Sequence, residues 1–229
     1  MKEQGSGGDS LPPAERESAP RKRVFVAGTD TDVGKTVAAA WLMRRYKMAY
    51  WKPVQSGLEG ETDEQVIRRL SKRPAKAFHP STYTLQRPMS PHASAALEGV
   101  TIDMERFKLP ESKVPLLVEG AGGLMVPMND DALMIDLMVQ LALPVILVAR
   151  TALGTINHTL LSLEAMRSRG LEIVGVILSG PPNASNFKAI ECYGRTPILA
   201  EIPQLTPLTP EALDGVKPLA GKLLKEVLR

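Results

Sequence analysis

Cysteine is nearly missing from this chain. Its 229 residues hold one, Cys192, so no disulfide can form within the chain and no thiol cluster is available for zinc or an iron–sulfur centre. That scarcity fits a reducing compartment, and Cys192 reads as a packing residue. Aromatic residues amount to 4%, too few to interleave stacking rings with basic side chains as single-strand nucleic-acid binders do. The formal net charge is only +3, and Arg21, Lys22 and Arg23 gather just ahead of the first apolar run, where a solvated charge run explains them. Neither nucleic acid nor a membrane is an expected partner. No apolar run is long enough to span a bilayer, and the first residues are polar where a secretory signal needs an apolar core. The reading is of a soluble, cytoplasmic protein. There is no internal repeat, and low complexity is confined to residues 1–21. Their Gly, Ser, Pro and Glu composition cannot bury enough apolar surface to offset the entropy of ordering, so a disordered tail is expected there.

What remains, residues 22–229, is 208 residues of a chain that is 44% hydrophobic, enough for one well-buried domain and short for two. Short apolar, β-branched runs recur at residues 24–27, 49–51, 115–118, 144–149, 173–178 and 198–202, each followed by turn residues. Such runs read as buried parallel strands. Helical patterns fall between them at 37–46, 63–71, 92–98, 132–141, 156–169, 185–193 and 211–228. The alternation predicts an α/β fold, a doubly wound, mostly parallel sheet flanked by helices. Between Gln86 and Lys113, prolines at 88, 91 and 110 leave room only for a loop, a short helix and a second loop.

In sheets of this kind ligands bind beyond the carboxyl ends of the strands, and those ends are chemically loaded here. The first run leads into Gly28-Thr29-Asp30-Thr31-Asp32-Val33-Gly34-Lys35-Thr36 and then Val37 and further helix formers. A glycine-rich loop between strand and helix lets backbone N–H groups crowd around phosphate oxygens. Lys35 reaches the β- and γ-phosphates, and the Thr36 hydroxyl is placed to ligate Mg²⁺. The bland alternative is a tight turn that merely needs glycine, but a buried-type strand before the loop and a helix continuing from Val37 to Leu42 favour nucleotide binding. Five residues rather than the usual four separate Gly28 from Gly34, and two of them are acidic. The fold is therefore read as P-loop NTPase-like.

The next run ends in Lys52-Pro53-Val54-Gln55-Ser56-Gly57, which carries a second ammonium to the same rim. Two lysines there suit a transition state with dispersed negative charge, although a snorkelling lysine is an even alternative. The third ends in Glu119-Gly120-Ala121-Gly122-Gly123, a carboxylate with few solvated alternatives that suits an oxygen-seeking cation. Asp63 is weaker by itself, because Glu59, Glu61 and Glu64 crowd it and most acidic clusters are solvated surface. Ser90-Pro91-His92 reads as a helix start with Ser90 as N-cap, and a simple cap is as good an account as a ligand contact. Leu153-Gly154-Thr155-Ile156-Asn157-His158 is a second helix start with exposed amides, suited to a carboxylate. His158 and His79 lack metal spacing and read as structural or surface groups.

With these motifs in order, the chain resembles the dethiobiotin synthetase family. The residues that carry the resemblance are Gly28 to Thr36, Lys52 to Gly57, Pro88-Met89-Ser90-Pro91-His92, Val118 to Gly123, Gly154 to His158 and Glu201-Ile202-Pro203. The enlarged loop spacing is the form that family uses. The resemblance implies an ATP-dependent carboxylation and ring closure, in which diaminopelargonate, CO₂ and ATP give dethiobiotin, ADP and phosphate. It implies catalytic roles for Lys52, Lys35 and Thr31, and Mg²⁺ held by Thr36, Asp63 and Glu119. The nucleotide would meet Asp32, Val33, Gly34, Lys35, Thr36, Val37, Gly120, Ala121, Gly122, Ser179, Gly180, Pro203, Gln204 and Leu205. Substrate contacts would fall to Ser56, Ser90, Pro91, Gly154, Thr155 and Asn157, with a homodimer whose partner chain helps hold the substrate carboxylate. The chain departs from the family at Ser179, where an Asn commonly recognises adenine, which puts base preference in question. It also has fewer residues between Thr36 and Lys52 and between Ile102 and Val114. Two rivals share the loop. A cobyrinate-type amidoligase carries an amidotransferase domain for which this chain lacks length, and partitioning-type ATPase switches place a Lys where this chain has Asp30.

Overall fold

Val24, Phe25 and Val26 are all fully buried, although side chains that follow one another along a strand face opposite ways. A strand covered on both faces belongs in the middle of a parallel sheet, and that is where the computed structural model, which describes residues 22–228, places it. The expected tail over residues 1–21 lies outside the described residues.

In chain order the elements are β1 (Arg23–Gly28), α1 (Lys35–Tyr46), β2 (Ala49–Trp51), β3 (Val54–Ser56), α2 (Asp63–Ser71), β4 (Phe78–His79), β5 (Tyr83–Leu85) and α3 (Pro91–Leu97). They continue with β6 (Leu116–Gly123), α4 (Met134–Leu141), β7 (Val145–Arg150), α5 (Thr155–Ser168), β8 (Ile173–Ser179), α6 (Ala184–Gly194), β9 (Ile198–Ile202), α7 (Pro210–Gly215) and α8 (Gly221–Leu228). Seven strands form one sheet in the order β4-β2-β6-β1-β7-β8-β9, every adjacent pair parallel. A separate parallel pair, β3 and β5, stands beside it.

Helices cover both faces. On one, Phe25, Val118, Leu147 and Leu178 pack with Met134 and Met138 of α4, Leu163 and Met166 of α5, and Ile190 of α6. On the other, Val24, Val26, Ile146, Val148 and Leu199 pack with Ala38 to Met43 of α1, Leu213 of α7 and Leu224 of α8. Helix α1 is buried on most of its circumference, as its run of alanines, Trp41, Leu42 and Met43 requires, and Arg44 and Arg45 complement its C-terminal dipole. Helix α2 is amphipathic. Thr62 and Gln65 close a capping box at its start, and Ile67 and Leu70 form its buried stripe.

The structure corrects the sequence reading in four places. Glu119 does not end its strand, because β6 runs on through Gly120 to Gly123, glycines that carry no hydrophobic signal. The single helix expected over 211–228 is two helices. Pro218 lacks an N–H and disfavours a helical Lys217 before it, while Leu219 and Ala220 turn their amides to the Leu199 carbonyl of β9. Cys192 is exposed on α6 rather than packed. Strands β3, β4 and β5, of two or three residues each, are too short for periodicity to reveal. Between Gln86 and Lys113 the chain runs as loop, α3, and a loop with one 3₁₀ turn at Met104–Arg106.

Candidate active site

Strand β1 delivers its loop to the carboxyl edge of the sheet, and α1 begins at Lys35 immediately after Gly34. Gly34 occupies the left-handed region at φ 94°, and a Cβ there would lie 2.3 Å from the Ser179 hydroxyl. Only glycine satisfies both conditions. No acidic residue belongs to the first turn of α1 itself, and its free N–H groups present a positive end suited to an anion. The Lys35 ammonium reaches back over the loop to donate to the Asp30 carbonyl at 2.8 Å. Burial, reinforced by the nearby Lys52, pulls its pKa below the ordinary lysine value against the opposing pull of Glu119 and Asp63.

Behind the loop three oxygen donors converge. The Thr36 hydroxyl donates to Asp63 Oδ1 at 2.5 Å and lies 3.4 Å from Glu119 Oε1. Lys52 Nζ sits between the two carboxylates, 2.8 Å from Asp63 Oδ2 and 3.3 Å from Glu119 Oε1, and 3.5 Å from the Gly120 carbonyl. The Tyr50 hydroxyl donates to Glu119 Oε2 at 3.1 Å. Glu119 is wholly buried, a place where a carboxylate persists only with partners. Burial alone would lower the Lys52 pKa, yet Glu119 and Asp63 outweigh it and hold the ammonium above its usual range. Burial likewise works against Asp63, and Lys52 overcomes it, so Asp63 stays below the ordinary carboxylate range. For Glu119 burial prevails and pushes its pKa up, with Lys52 opposing. Tyr50 is pushed well above the phenol value by burial beside Glu119.

The donor set fits Mg²⁺. It is all oxygen, two carboxylates and a hydroxyl beside a phosphate loop, and Mg²⁺ prefers a few protein oxygens completed by water and phosphate. Among the described residues there is no group of three or more His, Cys, Asp or Glu side chains that could form an all-protein cage.

The remaining candidates separate into three places. Asp32, Val33, Gly34, Val37, Ser179, Gly180, Pro203, Gln204 and Leu205 line one cavity of about 310 Å³ beside the loop, together with Arg150, Ile202 and Leu208. Ser56 and Ser90 stand on facing segments, since Gly57 and Leu58 donate their amides to Leu85 and Gln86 on the approach to α3. The Ser56 hydroxyl is buried without a partner. Ser90 holds the N-cap position of α3, but its side chain makes no capping bond. Thr31 is exposed on the loop, near Gly122, where a Cβ would lie 3.6 Å from its hydroxyl. Gly154 and Asn157 are exposed at the start of α5, whereas Thr155 is buried and donates its hydroxyl to the Arg150 carbonyl. His158, next along the helix, lines a cavity of about 670 Å³ with Thr29, Asp30, Met125, Val126 and Leu161, among others. Sequence reasoning passed over Tyr50, Arg150 and the position of His158 in that wall. Arg150 closes β7, and inspection of strand ends is the signal that could have found it.

The AAA domain family model matches residues 22–212. The chain is 48% identical over 195 residues to the ATP-dependent dethiobiotin synthetase BioD of Paramagnetospirillum magneticum, covering 85% of this chain and 94% of that one. It is 49% identical over 191 residues to the enzyme of the same name from Brucella ovis, covering 83% and 90%. Against the biotin biosynthesis bifunctional protein BioCD of Bordetella avium it is 53% identical over 192 residues, 83% of this chain but 41% of that longer protein. Among solved structures, chloroplast FtsY from Physcomitrella patens superposes with a TM-score of 0.50 at 13% identity, over 93% of this chain and 67% of that one, a likeness of fold alone.

Proposed function

The chain belongs to the ATP-dependent dethiobiotin synthetase family, ligases of biotin biosynthesis, and from that membership we propose how its own residues close the ring. The observation that carries the reading is the buried cluster of Lys52, Asp63, Glu119 and Thr36 set directly behind a phosphate loop. It offers positive charge and oxygen ligands where a γ-phosphoryl group would lie. The proposed chemistry needs no covalent intermediate on the protein.

One amine of diaminopelargonate attacks CO₂ and loses a proton to give a carbamate. A carbamate oxygen attacks the γ-phosphorus of ATP, and ADP leaves. The second amine then attacks the carbonyl carbon of the mixed anhydride and gives up a proton, phosphate departs with the bonding pair, and the cyclic urea of dethiobiotin results. Each step moves negative charge across the space between Lys35 and Lys52. Their ammonium groups, with the loop amides, stabilise it, and holding the reactants in line supplies the rest. Lys52, kept protonated by its two carboxylates, serves as a fixed positive charge. Mg²⁺ held by Thr36, Asp63 and Glu119 would neutralise charge on the phosphate oxygens. Thr31 and Ser56 are assigned to the carbamate and diamine, and Ser90 and Pro91 to the walls of that subsite.

The reading includes a homodimer. Leu153 is 99% exposed and Leu161 62%, with Met125 at 51%, an apolar surface around the α5 start that borders the cavity holding Thr29 and Asp30. A second copy seated there would bring Gly154 and Asn157 of its α5 to the substrate carboxylate, with Thr155 fixing the turn. No helix among the described residues is long and apolar enough to cross a membrane, and we place the enzyme in the cytoplasm with its ATP. The test is product formation. The purified chain, given diaminopelargonate, bicarbonate and MgATP, is expected to form dethiobiotin with one phosphate released per ring. Nucleotide binding without product would refute the reading.

A further inference from the structure

The cavity beside the phosphate loop has an end whose chemistry the phosphates do not use. Phosphates held at Gly34 to Thr36 leave the base of the nucleotide to the adjoining space, walled by Val37, Ile202, Pro203, Leu205 and Leu208. Apolar walls suit the two faces of a base; its edges must meet polar groups. Among the described residues Arg150, Ser179 and Gln204 of that lining make no side-chain hydrogen bond or ion pair, and neither does Asp32. Register fixes the first two. Arg150 of β7 is the direct partner of Ser179 of β8, and Ser179 of Ile202 of β9, so the three close adjacent strands at one level. Ser179 faces the loop, its hydroxyl 2.3 Å from where a Gly34 Cβ would be, and partners in register share a face. Asp32, on the loop itself, is the one carboxylate in the lining.

We propose that Arg150 reads the base, and that with Ser179 and Gln204 it lets this site take guanosine as well as adenosine triphosphate. The inference rests on the ATP-dependent ligase reading above. A guanidinium offers only donors, in a planar fork. Guanine presents two adjacent acceptors, O6 and N7, which that fork matches, whereas adenine presents an amine beside N7 and leaves half the fork facing a donor. The Gln204 amide has one donor and one acceptor group and suits the adenine N6 and N7 pair. Ser179 donates or accepts with equal ease and rejects neither base. The site therefore holds a reader for each purine and no group that excludes one.

Calorimetric titration of the whole chain with ADP and with GDP, both with Mg²⁺ and without diamine, tests this. GDP is expected to bind within about 30-fold of ADP. Arg150→Met should weaken GDP about 10-fold or more while changing ADP less than about 3-fold. Arg150→Lys, which keeps the charge and loses the fork, should do the same, and Ser179→Asn should shift preference towards ADP. Rejection of GDP beyond that 30-fold margin overturns the inference, as does an equal loss of both nucleotides in both Arg150 variants, which would put the guanidinium on phosphate or ribose. Failure to bind either nucleotide would instead remove the nucleotide site and the ligase reading with it.

Discussion

Replacing Lys52 with Met removes one charge and almost no volume, so cavity terms stay small and the consequence is electrostatic. The ammonium lies 2.8 Å from Asp63 and 3.3 Å from Glu119. At an effective dielectric of about 20, unit charges at those separations attract by about 6 and about 5 kcal/mol before desolvation is counted. Desolvation returns much of this, and removing one partner of a buried pair costs about 3–5 kcal/mol because the other is left uncompensated. Asp63 is 32% exposed and partly served by water, whereas Glu119 is not exposed at all, so the lower end, about 3 kcal/mol, is expected. Urea denaturation without metal measures it directly. The same experiment with MgADP should show a smaller loss, since a bound cation would compensate the two carboxylates. Turnover should fall by about 10²–10³-fold, the effect of removing one preorganised group from a developing charge. The nucleotide dissociation constant should hold within about 3-fold, because the proposed function assigns the phosphates to loop amides and Lys35. Dethiobiotin formation within about tenfold of wild type would remove Lys52 from the chemistry, and a stability loss below about 1 kcal/mol would refute the buried-pair argument.

Three further outcomes follow from named contacts. Gly34→Ala sets a Cβ 2.3 Å from the Ser179 hydroxyl at a φ of 94°, so ADP affinity should fall by about 100-fold or more while the far-ultraviolet spectrum is kept; unchanged calorimetric affinity would contradict the loop geometry. Tyr50→Phe deletes a 3.1 Å bond to a buried carboxylate and should cost about 1.5–3 kcal/mol in metal-free urea denaturation, a loss under about 0.5 kcal/mol showing that Glu119 does not depend on it. Leu161→Asp puts a charge on the apolar surface beside α5 and should give monomers by sedimentation that still bind ADP but no longer turn over diaminopelargonate at low concentration. A variant that still sediments as a dimer would overturn the proposed interface.

What the sequence made legible was local, and what it hid depended on register. The phosphate loop could be read from one stretch because β1, the glycines, Lys35 and Thr36 are consecutive, and their placement needs no distant partner. Asp63 shows the opposite case. Four acids crowd that segment, and spacing gives no ground for choosing among them. In the folded chain Glu59 is exposed, Glu61 pairs with Arg69 and Glu64 with Arg68 at the surface, and Asp63 is the carboxylate of the four that meets Lys52 and Thr36. Tyr50 was hidden in an apolar run, where an aromatic reads as core. It lies opposite Leu117, and two residues further along β6, on the same face, stands Glu119. Arg150 was hidden in the same way, because a lone arginine before a turn reads as solvated until β7 pairs with β8 and sets it against Ser179. A parallel sheet joins strands distant in sequence, so the residues that complete a site at its carboxyl edge are fixed by pairing offsets that no one-dimensional spacing encodes. Motifs thus mark the candidate phosphate site, while register decides which side chains stand beside it.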